Sequence, residues 1–109
     1  MSQIEFLTNL TPQEAADKVR GEIRAECVHD ERHVLPENKH LTILVFEKYY
    51  MRNSSRAALT LICEDFEGET RVRAIATGSS QSMIFKFDWG ASQAFAEAPR
   101  QILQRHIIG

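Results

Sequence analysis

Residues 41–66 read LTILVFEKYYMRNSSRAALTLICEDF, and this stretch decides the fold. Its first part, residues 41–51, is rich in β-branched and aromatic side chains, which suit a pleated, half-buried surface, and predicts a strand. Arg52-Asn53-Ser54-Ser55 carries the polar residues of a hairpin loop, and residues 57–66 return as a second strand. A loop this short joins antiparallel neighbours.

Working outward, Glu67-Gly68-Glu69 closes the second strand and residues 70–77 form a third. Gly78-Ser79-Ser80-Gln81 reads as a turn, and residues 83–87 as a last strand with Phe85 and Phe87 on the face of Met83. Upstream, residues 26–35 suggest a ragged strand, followed by a turn at Pro36-Glu37-Asn38-Lys39. Residues 3–7 alternate as a short first strand. Thr11-Pro12-Gln13-Glu14 has the form of a capping box with proline at the first helical position. Ala16, Val19 and Ile23 then recur at helical spacing, which predicts a helix over residues 12–24. A terminal helix begins near Asp88 or Gly90 and carries Phe95, Ile102 and Leu103. Pro99 inside it removes a donor, so one bent helix or two short ones are expected.

Strands in one block with helices at both ends give an α+β two-layer sandwich. The expected sheet is mostly antiparallel, of about five or six strands, with an N-terminal and a C-terminal helix on one face. The chain has 109 residues and no repeat or linker-like stretch, so residues 1–109 form a single domain. The balance of 13 Lys plus Arg against 15 Asp plus Glu lacks the basic excess of a nucleic-acid binder. The longest apolar run, residues 43–46, is far too short to cross a membrane. The first ten residues lack the basic start and apolar core of an export signal, so the cytoplasm is the expected compartment. In that compartment Cys27 and Cys63 are expected as free thiols.

The second face of the sheet is more apolar than a wet face should be. Leu59, Leu61 and Cys63 share one face of their strand, while Ile62 stands opposite with Ala58, Thr60 and Glu64. Ile75 stands with Arg71 and Arg73, Ile84 with Lys86, and Ile43 with Val45 opposite Leu44 and Phe46. Isolated exposed isoleucines are ordinary. Apolar residues ringed by arginine and lysine also suit a two-fold interface, and Ile62, Ile75 and Ile84 are the residues expected to form a homodimer.

Two chemical readings stand beside this one. A sheet gripped by the C-terminal helix can enclose a cavity for a small apolar ligand, lined by Phe85, Phe87, Trp89 and Phe95, with Ala74, Ala76 and Gly78 leaving room. His29 and His33, four apart with Asp30 and Glu31 between them, could serve a metal, and strict alternation pairs Cys27 with His29 on one strand face. A third ligand at firm spacing is missing, and a solvated polar segment explains these residues as well. Gly78-Ser79-Ser80-Gln81-Ser82 fails the nucleophile-elbow pattern because position 82 is serine. Tyr49 and Tyr50 with Arg52 and Arg56 fit a solvated hairpin better than a nucleic-acid contact. No motif rises to a reaction, and no cofactor is expected.

Residues 76–87, ATGSSQSMIFKF, form a strand, a Gly-Ser-Ser-Gln turn and an apolar strand ending in Phe-Lys-Phe before the terminal helix. With Phe46-Glu47-Lys48-Tyr49 at the end of the central strand, this arrangement resembles a family of short uncharacterised bacterial α+β proteins. The resemblance implies a small bacterial α+β domain with no assigned activity, and it carries over no functional residue.

Overall fold

The capping box forms as its spacing requires. The Thr11 hydroxyl accepts from the Glu14 amide at 3.1 Å, and the Glu14 carboxylate accepts from the Thr11 amide at 2.9 Å. It opens helix α1, Pro12–Glu22, which ends two residues short of the predicted helix when Ile23 turns extended. The computed structural model describes residues 2–50, 55–80 and 89–109. The described strands are β1 (Ser2–Thr8), β2 (Glu26–Leu35), β3 (Lys39–Tyr50), β4 (Ser55–Glu64) and β5 (Thr70–Ser80), with helix α2 at Trp89–Ile102. They make one antiparallel sheet in the order β1-β5-β4-β3-β2. Strands β2 to β5 run as a meander, and the β1-α1-β2 connection crosses from one edge to the other.

Both helices pack on one face, α1 over β3 and β4 and α2 over β5 and β1. Ala15, Ala16 and Val19 line the buried side of α1, and the two alanines let the helix come close to the sheet. Beneath the helices lie Leu44, Phe46, Leu59, Leu61, Cys63, Val72, Ala74 and Ala76, none with exposed surface. Burial pushes the Cys63 thiol up to about 12, so it behaves as a small apolar core residue.

Several boundaries differ from expectation for physical reasons. Gly78, Ser79 and Ser80 are not a turn: they continue β5, paired with Ala57, Arg56 and Ser55 of a β4 that starts earlier than predicted. At the far end β4 stops at Glu64: the Asp65 amide still donates to the His40 carbonyl at 3.3 Å, but its carboxylate, not its carbonyl, accepts from the His40 amide at 2.7 Å and from Nδ1 at 3.2 Å. The turn at Pro36 is a short 3-10 turn in which Glu37 and Asn38 adopt positive φ, at 65° and 58°. Pro99 does not divide α2, which stays one helix to Ile102 before a 3-10 turn at Gln104–His106. The expected strand at residues 83–87 lies outside the described residues.

The two sheet edges are treated differently. Along β1 the C-terminal tail adds backbone bonds, Leu7 N–H to the Gly109 carbonyl and Ile108 N–H to the Leu7 carbonyl, both at 2.9 Å. The β2 edge carries instead a bulge between Cys27 and His29 and a row of charged side chains, two devices that discourage edge pairing.

Candidate functional site

The bulge decides what each face of β2 presents. Cys27 pairs with Phe46 and His29 with Val45, so Val28 is the extra residue. Strict alternation would place Cys27 and His29 together. The extra residue puts Cys27 on the helix side, against the core, and His29, Glu31 and His33 on the open side with Ile43, Val45 and Leu41. The Cys27–His29 thiolate pair is therefore not formed, although the Cys27 thiol donates to the His29 carbonyl oxygen at 3.4 Å. On the helix side the same shift delivers Asp30 and Arg32 to α1. Arg32 bonds Asp30 at 2.8 Å and Asp17 at 2.7 Å, and Arg20 bonds Asp30 as well. Hydrogen bonding from Arg32, with the charge of Arg20 adding to it, holds the Asp30 carboxyl below its ordinary range.

On the open side the imidazoles of His29 and His33 reach opposite oxygens of the Glu31 carboxylate, at 3.0 and 2.7 Å. Those bonds, His29 first and His33 second, hold the Glu31 carboxyl low. The carboxylate stands between the two rings and His40 is taken by Asp65. Among the described residues no group of three or more His, Cys, Asp or Glu side chains is arranged to hold a metal ion.

The register places the open face in three rows from β1 to β2: Leu7–Arg71–Glu64–Leu41–His33, Glu5–Arg73–Ile62–Ile43–Glu31 and Gln3–Ile75–Thr60–Val45–His29. Leu41, Ile43, Val45, Ile62 and Ile75 thus form one contiguous apolar patch across three strands, each half-buried by its neighbours. Two of the expected interface residues, Ile62 and Ile75, lie in it, and Ile84 lies outside the described residues. Arg71 closes one corner by pairing with Glu5, Glu67 and Glu64. Arg73 does not join it. Its Nε is buried and, among the described residues, has no hydrogen-bond partner.

A second feature opens on the helix side. A cleft of about 530 Å³ lies between the end of α1, the end of β3 and the face of α2. Ile23, Tyr50, Phe95, Ala98 and Ile102 supply its apolar wall, and Glu22, Arg24 and Lys48 its charged rim. Of the four residues expected to line a cavity, Phe95 does so. Phe85 and Phe87 lie outside the described residues, and Trp89 is the first residue of α2. The expected floor at Ala74 and Ala76 is different. Both are fully buried beneath α2, and Ser92 reaches the Ala76 carbonyl at 3.5 Å, so the space opens at β3 rather than over β5. Burial raises the Tyr50 hydroxyl pKa, as expected for a phenol lining a partly dry cleft.

Alternation found Ile43, Val45, Ile62 and Ile75 and set Arg73 beside Ile75, but gave no sign that the Arg73 Nε is buried or that Lys48 and Tyr50 line a cleft, because those surroundings depend on strand order. No helix is long and apolar enough to cross a membrane among the described residues. No curated protein and no solved structure matches the chain. A family model covers residues 1–107 and is described as a family of unknown function, DUF6054; the chain belongs to that family.

Proposed function

We propose that this chain is a non-enzymatic domain that self-associates as a homodimer across the open face of its sheet. The observation that carries the reading is the contiguous patch of Leu41, Ile43, Val45, Ile62 and Ile75, which no element among the described residues covers, since both helices lie on the other side. The four strands β2 to β5, at about 4.8 Å spacing, and three rows of side chains about 6.8 Å apart span about 19 by 20 Å, roughly 400 Å² per protomer. Two such faces bury about 800 Å² in total, the size of a weak, concentration-dependent association.

Charge selects the geometry. A two-fold axis parallel to the strands and passing between β3 and β4 lays β5 of one protomer over β2 of its partner. In the middle row this sets Ile62 against Ile43 and Arg73 against Glu31. The contact gives the buried Arg73 Nε an acceptor it lacks among the described residues, and it occurs twice by symmetry. An axis through β4 would instead set Glu5 against Glu31. The unbridged Cys27 and Cys63 support a reducing, cytoplasmic setting, and the resemblance carried by residues 76–87 supports a bacterial one.

Light scattering on the purified protein at tens of micromolar is expected to return twice the chain mass. Ile62→Glu, which buries a charge at the centre of the patch, is expected to return a monomer that remains folded by circular dichroism. Arg73→Glu and Glu31→Arg are each expected to weaken association at least tenfold, about 1.4 kcal/mol, and their combination to restore it. A monomeric wild type refutes the proposal, and a double reversal no better than either single change refutes the two-fold arrangement.

A further inference from the structure

We infer that the cleft between the end of α1, the end of β3 and α2 is a binding site for a small amphipathic anion, a single carboxylate on an aliphatic chain. The cleft lies on the side of the sheet opposite the proposed dimer face, so this inference does not rest on that reading. Its volume of about 530 Å³ is in the range of small-molecule sites, and its wall is built to hold an apolar body. Phe95, 4% exposed, anchors the base, while Ile23 and Ile102 are only partly buried and leave apolar surface facing the space.

The rim selects the sign of the head group. Three charged residues line the cleft. Glu22 is already engaged by Lys18 at 2.8 Å. Arg24 and Lys48 make no ion pair among the described residues, and Lys48 sits over the Tyr50 ring, 5.4 Å from its centre. Even-numbered positions of β3 point to the helix side, so Lys48 and Tyr50 enter the cleft from the same strand that sends Leu44 and Phe46 into the core. Two cations without carboxylate partners at the mouth of an apolar cleft complement a ligand with one anionic end and one hydrocarbon end. A cationic or neutral head leaves that charge uncompensated.

Calorimetric titration with sodium dodecanoate below its micelle concentration tests this directly. One dodecanoate per chain is expected, with dodecanol at least tenfold weaker and dodecyltrimethylammonium without measurable binding. Ala98→Phe fills the cleft and is expected to abolish binding. The double change Arg24→Gln with Lys48→Gln leaves the wall intact and is expected to weaken dodecanoate at least tenfold while leaving dodecanol unchanged. Lack of dodecanoate binding overturns the inference, as does dodecanol binding equally well or a double variant that binds like wild type. Binding to vesicles of anionic phospholipid without binding of monomeric dodecanoate also overturns it, because the cations would then be serving a lipid surface rather than the cleft.

Discussion

Leu44 and Ile43 are neighbours in β3 with opposite environments, and truncating each to alanine tests the placement of both faces. Leu44 has no exposed surface and lies in a row with Leu61 and Ala74 beneath the helices. Removing its branched end forfeits transfer energy and leaves a cavity that the sheet cannot close, because Leu61 and Ala74 are fixed by backbone pairing on both sides. A loss of about 3 kcal/mol is expected. Ile43 is half-buried on the open face, where solvent fills the space left by the missing atoms, and in the isolated protomer Ile43→Ala should cost about 1 kcal/mol or less. Urea unfolding at two protein concentrations a hundredfold apart separates the contributions. A dimer gains about 2.7 kcal/mol of apparent stability per dimer over that span, about 1.4 per chain, and a monomer gains none. Leu44→Ala should lower stability equally at both concentrations. Ile43→Ala should cost more at the higher one, since its contacts there include the partner. Equal costs for the two truncations in dilute protein would refute the assignment of faces. A wild-type midpoint that does not move with concentration would refute the covered face.

Two further outcomes follow from local chemistry. Thr11→Ala removes the acceptor of the Glu14 amide and half of the capping box, so it should cost about 1 kcal/mol and lower Tm by about 4–8 °C in a thermal scan. Burial alone would raise the Asp65 carboxyl, and the hydrogen bonds from the His40 amide and ring outweigh it, so Asp65, like Asp30, ionises below its ordinary range in the folded state. The unfolded chain then takes up these protons first as pH falls. The contribution is present above the ordinary aspartate range near pH 4 and is lost as pH drops through the lowered values. In urea titrations Asp65→Asn should therefore be less stable than wild type at pH 7 and converge with it in acid.

The parts of the fold written in local chemistry could be read directly. The hairpin of β3 and β4 follows from two apolar runs around a short polar loop. The start of α1 follows from four residues that satisfy one another's backbone. What could not be read depends on partners distant in sequence. Nothing near Gly78 says that residues 55–57 wait to pair with it, so glycine followed by two serines reads as a turn when it is strand. Val28 is an ordinary strand former with nothing to mark it as a bulge, and its extra position moves the seven side chains from His29 to Leu35 to the opposite faces. The expected cavity, between the sheet and the C-terminal helix, shares only Phe95 with the cleft observed at the ends of α1 and β3. The cleft's location depends on where α1 ends, and that boundary is set by Ile23 turning extended.

The same bulge couples the open face of the sheet to the cleft on its helix side. Were β2 to continue without the extra residue in the register of Cys27, His29, Glu31 and His33 would point at α1. Asp30 and Arg32 would then lie on the open face. Helix α1 would lose its ties through Asp17 and Arg20, Asp30 would take the place of Glu31 in the row of Ile43 and Arg73, and Arg32 would join the row of Leu41 and Arg71 on the open face. One inserted residue thus fastens the helix that forms one side of the cleft and keeps Arg32 off the open face. The cost is low because β2 is an edge strand, where the amide and carbonyl left unpaired by a bulge meet water. A central strand could not carry the same insertion without orphaning backbone groups on both sides, which places this determinant on β2 rather than on β3 or β4.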